Sequence, residues 1–465
     1  MSTLIAVSGL GIVCLLLEIL NLRKILVPLT LLVLLGILGM TVAEFYSGES
    51  FFYADSYNMI VSTSYSRGFS ILFITLATLI IAMSPEFYKD KIEKIADYVS
   101  LKIFLLAGAI AMVSFGNLSM FFIGIEVLSI SAYVLASSSP ARVSSNEAGM
   151  KYFIMGAFAS SFILFGIALV YGAIGSFDIE TITILSVIKS GDSLPIWFNL
   201  GFVMILVGLL FKASVVPFHF WAPDVYEGSP TLVTTLMSTL VKVAAIAALY
   251  KSVVIFGVAM TPAVQISIVV FSILSLTVGN ITALNQKSLK RMMAYSGISH
   301  AGFMMMDLLS NSSNATNSLL YYAAAYSLAG IAAFAVIMAV SEGKGHENIE
   351  NLYGLARRNP LMAGILTCAL VSLGGIPVFA GFFAKLFMFT QMVDAGYLIL
   401  VIFGIINSII AIFYYFGTAN VMFTQEPSSE GALKVPVRYV LVATIAIILN
   451  LILGIYPSII MNLSL

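Results

Sequence analysis

Three features of this sequence predict an all-α, polytopic integral membrane protein. The first is composition: 465 residues, 60% hydrophobic and 9% charged, with a mean hydropathy of +1.05. Soluble domains carry about 25% charged residues and could not stay dispersed with so much apolar surface. The second is the recurrence of apolar runs near the roughly 20 residues a helix needs to cross hydrocarbon. The third is the placement of the basic residues, which collect in alternate connections between those runs.

Fourteen spans are expected, at about 2–20, 25–43, 67–83, 100–116, 118–137, 151–174, 197–221, 231–252, 263–284, 291–309, 318–341, 361–392, 397–423 and 437–461. The fourth is the shortest run and starts beside Lys102. With the N-terminus outside, most of the 22 Lys and Arg residues, Lys102 included, fall on the cytoplasmic side. Only Arg67, Lys189 and Lys251 face the other way, and Lys212, Lys242 and Lys385 stay within spans. A missed or invented span would scramble this asymmetry, so the positive-inside rule supports the topology. Residues 86–98 and 177–190 mix charge with apolar groups and are expected to lie on the membrane surface.

Two spans are interrupted. The seventh contains Lys212-Ala-Ser-Val-Val-Pro217-Phe-His219, and the twelfth contains Gly374-Gly375-Ile376-Pro377 followed by Gly381 and Lys385. Proline removes a helical hydrogen bond and clashes with the preceding turn. In a membrane that is tolerable only where the freed groups meet protein or water. The breaks are five spans apart, hence in opposite directions, as in inverted-repeat transporters. The expected organisation is N-terminal helices over 1–99, a first five-helix repeat over about 100–252, a second over about 263–423, and a C-terminal helix at 437–461.

Ionisable groups inside spans are costly and generally face a wet interior that moves ions. Here they are Glu126, Lys212, Lys242 and Lys385. A carboxylate 4 Å from an ammonium attracts it by about 4 kcal/mol at an effective dielectric of 20. That is worth about three orders of magnitude in proton affinity. Burial favours the neutral amine and the carboxylate favours the ammonium, so a change in the Glu126–Lys212 separation would switch the lysine between holding and releasing a proton. A static ion pair orienting two helices would use the same two residues, but one carboxylate cannot neutralise three lysines. Ser238, one turn before Lys242, and Ser296 and His300 on the tenth span could hold water between the amines. Helix-packing hydrogen bonds are the alternative for them. His219 beside Pro217 could instead cap freed carbonyls. Glu18 is explained by snorkelling or a helix contact, Asp224 and Glu227 by a plain polar turn, and His346 has no assigned role.

Other chemistry is excluded. Cys14 and Cys368 can form no metal cluster, and a disulfide framework is not expected. No Gly-rich nucleotide loop, HExxH or CxxC motif occurs, so any associated redox step belongs to other chains. The formal net charge is zero, with no basic tail for nucleic acid. The N-terminus lacks a basic region before its first apolar run and reads as neither a secretory signal nor a transit peptide, which favours a bacterial inner membrane.

The run Lys212-Ala-Ser-Val-Val-Pro-Phe-His-Phe-Trp-Ala-Pro-Asp-Val-Tyr-Glu-Gly-Ser-Pro-Thr231 resembles the signature of the antiporter-like subunits of respiratory complex I. Tyr295-Ser-Gly-Ile-Ser-His-Ala-Gly-Phe303 and Gly375-Ile-Pro-Val-Phe-Ala-Gly-Phe-Phe-Ala-Lys385 are similar to two further motifs of that family. The resemblance covers nearly the whole chain. Its turn sequence, its lysine at 385 and its short C-terminal end fit one subunit type within the family. Leu232 stands where a second proline is usual. The resemblance implies a proton path through Glu126, Lys212, Lys242, His300 and Lys385, with Pro217, Pro377, His219, Ser238 and Ser296 in support. It implies other membrane-arm subunits as partners. It also implies that no cofactor is bound by this chain, with FMN, Fe–S clusters and quinone in partner subunits. A subunit of a multisubunit Na⁺/H⁺ antiporter or membrane-bound hydrogenase would share this framework. A membrane scaffold for a redox arm is the reading from another class.

Overall fold

Short polar residues set where many helices begin. Thr63 and Ser66 form a reciprocal capping box, and Asn117, Asp178, Ser288 and Asn359 each accept a hydrogen bond from the first turn they precede. Pro262 and Pro360 open their helices, where a missing N–H costs nothing. The computed structural model describes residues 1–52, 57–189, 194–310, 312, 314–427 and 431–464.

In chain order the helices are α1 (Ser2–Ile19), α2 (Arg23–Ser47), α3 (Ser64–Ala82), α4 (Ser84–Phe87), α5 (Ile95–Ser114), α6 (Leu118–Ala136) and α7 (Val143–Ile174). Then come α8 (Ile179–Ile188), α9 (Ile196–Lys212), α10 (Trp221–Gly228), α11 (Thr231–Leu236), α12 (Lys242–Ile255), α13 (Pro262–Ala283) and α14 (Leu289–Met304). The last are α15 (Ala315–Ser341), α16 (Leu355–Arg358), α17 (Pro360–Gly374), α18 (Ala380–Asp394), α19 (Leu398–Thr424), α20 (Val437–Ile455) and α21 (Ser458–Met461). A π-helical turn, Met237–Val241, joins α11 and α12 into one segment.

Among the described residues, 11 helical segments are long and apolar enough to cross a bilayer. The predicted spans 197–221, 291–309 and 361–392 instead correspond to shorter pieces: α9 with the break that follows it, α14 with a 3₁₀ turn, and α17 with α18. Helix pairings repeat along the chain. The contacts α5–α6, α6–α7, α7–α9 and α5–α12 have counterparts in α13–α14, α14–α15, α15–α17 and α13–α19. The Thr231–Ile255 and Ala315–Ser341 segments are buried along their apolar lengths, whereas α1, α2, α7, α13 and α19 present large apolar side chains outward. A polytopic protein packed this way hides its central helices and turns the apolar faces of the outer ones toward lipid.

Four local expectations need correction. Residues 86–98 are not one surface helix. Lys91 leaves helical geometry inside the 3₁₀ turn Lys89–Lys94, and 95–98 already belong to α5. Lys102 is therefore no loop residue: it is buried in α5, its ammonium donating to Ser84 Oγ at 2.9 Å above the Tyr88 ring. Lys251 is not a free flanking charge either, because its long stem lets Nζ reach back to the carbonyls of Val113 and Phe115 (3.0 and 2.6 Å). Asp224 and Glu227 lie on helix α10 rather than in a turn. The 177–190 expectation corresponds to α8 (Ile179–Ile188), while Ser190 lies outside the described residues. Glu18 is bound by Arg23 through Nε at 2.8 and 3.0 Å. Both cysteines are free.

Candidate functional site

Helix ends place the first and last lysines. Lys212 is the final residue of α9, where unsatisfied carbonyls make the environment negative and suit a cation. The chain then turns through Ser214 (φ 57°), Val216, Pro217 and His219 before α10. The break is closed by protein groups: Trp221 Nε1 donates to the Phe211 carbonyl at 2.9 Å, and Val216 N donates to Ser275 Oγ at 3.0 Å. At the second break, Gly375 (φ 83°) and Val378 (φ 86°) carry the chain past Pro377 between α17 and α18. Lys385, on α18, reaches back to the carbonyl of Gly374, the last residue of α17, at 2.9 Å. A Cβ on Gly375 would sit 2.9 Å from the Lys385 stem, so glycine there leaves room for the amine. Both ammoniums thus sit at the C-terminal end of a half-helix.

Lys212 donates to Ser129 Oγ at 2.6 Å and Tyr133 OH at 3.1 Å, and lies over the Tyr133 ring. Glu126, Ser129 and Tyr133 are spaced i, i+3, i+7 and share one face of α6. Among the described residues no ion pair joins Glu126 to a lysine, and Glu126 Oε1 has no hydrogen-bond partner. The expected contact is therefore replaced by a carboxylate about one turn away from the ammonium's hydroxyl partners.

Lys242 begins α12 after the π turn. Its Nζ is buried without a hydrogen-bond partner among the described residues, 5.8 Å from the Tyr226 ring centre. A Cβ on Gly297 of α14 would come within 2.8 Å of that Nζ and 2.9 Å of Tyr326 OH, so only glycine allows this approach. The π turn leaves the Ser238 carbonyl to accept from Tyr326 OH at 3.1 Å. The Ser238 hydroxyl itself donates to the Thr235 carbonyl. Between Lys212 and Lys242 runs a row of aromatic rings, Tyr133–Tyr152–Trp221–Tyr226, with centroid separations of 4.7, 4.6 and 6.1 Å; the middle pair is stacked and the outer pairs meet edge to face.

His300 stands between Lys242 and Lys385. Its Nδ1 meets Tyr322 OH at 2.8 Å and its Nε2 meets Tyr415 OH at 3.2 Å. Tyr415 OH also contacts Ser296 Oγ at 2.5 Å. The ring lies 4.8 Å from Tyr326, which borders Lys242, and 6.3 Å from Phe303, over which Lys385 sits at 5.0 Å. A cavity of about 10 Å³ beside His300, Tyr322, Tyr326, Ser372 and Gly381 is near the smallest space that holds one water. His219 lies apart in the first break, its ring against Phe220 and its Nδ1 without a partner among the described residues. Among these residues no three His, Cys, Asp or Glu side chains converge as a metal site.

Sequence patterning does not single out Ser129, Tyr133, Tyr226, Tyr322, Tyr326 or Tyr415. The available signal was the i, i+4 pair Tyr322 and Tyr326 in a helix otherwise rich in alanine.

On the basic face, Asp224 of α10 binds Lys151 at 3.1 Å and Arg291 at 2.8 Å, and Arg291 also binds Glu227 at 2.9 Å. Partial burial pushes the Asp224 carboxyl up, but hydrogen bonds from Arg291 and Lys151 outweigh it and hold it below the usual carboxylate range. These ties fasten α10 to α7 and α14.

This arrangement of broken helices around buried amines belongs to a recognisable class. Residues 116–411 match the family described as NADH:quinone oxidoreductase/Mrp antiporter membrane subunits, and the chain belongs to that family. NADH-quinone oxidoreductase subunit N of Flavobacterium johnsoniae is 52% identical over 472 residues, covering all of both chains. A chain of respiratory complex I from Thermus thermophilus superposes with a TM-score of 0.82 at 30% identity, covering 99% of this chain and 98% of that one. A chain of an archaeal respiratory membrane complex, the membrane-bound sulfane sulfur reductase, gives a TM-score of 0.89 at 25% identity, with coverage of 99% and 96%.

Proposed function

We propose that this chain is the N-type, proton-translocating membrane-arm subunit of a bacterial NADH:quinone oxidoreductase. It sits in the inner membrane with Met1 on the outer side, among other membrane-arm subunits. The observation that carries this reading is the row Lys212, Lys242, His300, Lys385, whose immediate partners are hydroxyls, ring faces and a backbone carbonyl rather than carboxylates. Neutral dipoles hold an ammonium without pinning it, so each amine can exist charged or neutral. Full-length identity to subunit N favours this assembly over antiporter or sulfur-reductase complexes, whose fold is shared.

NADH oxidation and quinone reduction, with their FMN and Fe–S clusters, take place on partner chains. Their effect here is a displaced charge. Glu126 moving toward Lys212 stabilises its ammonium, and Glu126 moving away releases the proton toward Lys242. From Lys242 the proton passes along Tyr326 and His300 and the small cavity to Lys385. The first repeat, over about 100–252, takes the proton up, and the second, over about 263–423, discharges it. The recurring helix pairings support this division.

The test is the complex carrying Glu126→Gln, purified in mild detergent and reconstituted into vesicles. Intact subunit composition with a collapsed NADH-driven pH gradient supports the proposal. An undiminished gradient overturns it.

A further inference from the structure

Asp307 is a carboxylate that nothing above employs. It lies on the 3₁₀ turn Met305–Leu309 that ends α14, is fully buried, and neither oxygen has a hydrogen-bond partner among the described residues. A carboxyl buried without a cationic partner is costly to ionise and packs no better than Asn or Leu, so its chemistry rather than its packing asks for an explanation.

Its position continues the proton path. Along α14 and the 3₁₀ turn that follows it, Gly297, His300, Met304 and Asp307 succeed one another at i, i+3, i+7 and i+10, away from the contact with Lys242. On α15, Ser318, Tyr322 and Tyr326 follow one another at i, i+4, i+8. Tyr326 borders Lys242, Tyr322 holds His300 Nδ1, and the buried Ser318 hydroxyl lies beside the Asp307 carboxyl. Tyr250 and Tyr322 lie within electrostatic reach of the carboxylate. The next residues, Leu308, Leu309 and Ser310, line a cavity of about 970 Å³ with Tyr250, Gln391 and Asp394. That cavity lies between the α12–α13, α14–α15 and α18–α19 connections, on the side opposite the Asp224–Arg291 cluster.

We propose that Asp307 is the terminal proton acceptor of this line, taking the proton held at Lys385 through the His300–Tyr322 pair and passing it to the cavity on the outer side. The proposal rests on the proton-translocation reading above. In each cycle the carboxylate takes a proton through the Tyr322 and Ser318 hydroxyls, which are reprotonated from His300, and the carboxyl then releases it to solvent in the cavity.

The experiment compares Asp307→Asn, Asp307→Glu and Lys242→Ala in the full complex reconstituted into vesicles, following the NADH-driven pH gradient against NADH consumption. Asp307→Asn is expected to lower proton translocation per NADH by about tenfold or more, the scale of a lost acid–base group. Asp307→Glu should retain most of it. If Lys242→Ala abolishes the gradient while Asp307→Asn leaves it intact, the role of Asp307 is overturned and the translocation reading stands. If neither variant changes it, both fall. Should Asp307→Asn not assemble, a hydrophobic carbodiimide applied to the unaltered complex gives the answer. A covalent adduct on Asp307 that tracks the loss of pumping is the expected result. Pumping that persists with Asp307 modified overturns the proposal.

Discussion

The two broken helices solve the same problem with different partners. At the first, Lys212 rests on Ser129 and Tyr133 of α6, with Glu126 on the same face. At the second, Lys385 rests on the Gly374 carbonyl and the Phe303 ring, with His300 nearby. Only the first has a carboxylate on the helix face that holds its lysine, so the proposed switching lies there. The second has only fixed dipoles and a neutral-capable imidazole, which suits passing a proton onward.

The comparison breaks most visibly at Glu126. Glu126→Gln should lower proton translocation by roughly tenfold or more, equivalent to at least ~1.4 kcal/mol on the barrier, measured as the initial rate of vesicle acidification. No substitution beside Lys385 should reproduce this without also disturbing the helix break.

Packing at the two breaks should differ next. A Cβ on Gly381 would lie 1.8 Å from the Ser372 carbonyl, whereas one on Gly208 meets first the movable Ile163 side chain at 2.3 Å. Gly381→Ala is therefore expected to cost ~1–3 kcal/mol or more and to lower the yield of assembled complex. Gly208→Ala should cost less, as native-gel band intensities would reveal.

Hydroxyl deletions sharpen the contrast further. Tyr322→Phe leaves His300 Nδ1 without its partner, at a cost of about 1–3 kcal/mol for an orphaned buried group. Tyr133→Phe leaves Lys212 with Ser129. Turnover-linked pumping should fall several-fold in the first and less in the second.

The smallest effect belongs to the surface tie of α10. Because Asp224 is held below the usual carboxylate range, its contribution to stability is present above its unfolded value of about 4 and is lost as pH falls through the lower folded value. Thermal melting of the solubilised complex should show a slightly weaker acid sensitivity in Asp224→Asn. Equal slopes in the two would remove Asp224 from the account.

Charge in an apolar run is conspicuous, so Glu126, Lys212, Lys242 and Lys385 could be picked from the sequence, as could the breaks at Pro217 and Gly374-Gly375. Loop charges were harder. Lys102 adjoins the charged 86–98 stretch and reads as a flank, yet α5 starts early enough to bury it. Lys251 reads as a flank too, but caps α5 with its ammonium. The π turn before Lys242 has no local signature, since it depends on how α11 and α12 meet α15. Tyrosines are common in membrane helices, so Tyr322, Tyr326 and Tyr415 gain meaning only once α14, α15 and α19 converge on His300. Asp307, at the end of the 291–309 run, does not stand out in the sequence, because nothing local signals its burial.

Lys242 joins the two halves, with its amine unpartnered among the described residues and pressed against Gly297. The most direct measurement is the number of protons carried per NADH oxidised by reconstituted complex with Lys242→Ala at wild-type assembly levels. A steep fall in that ratio is the predicted result. A ratio equal to wild type would mean that this chain only holds the redox arm in place.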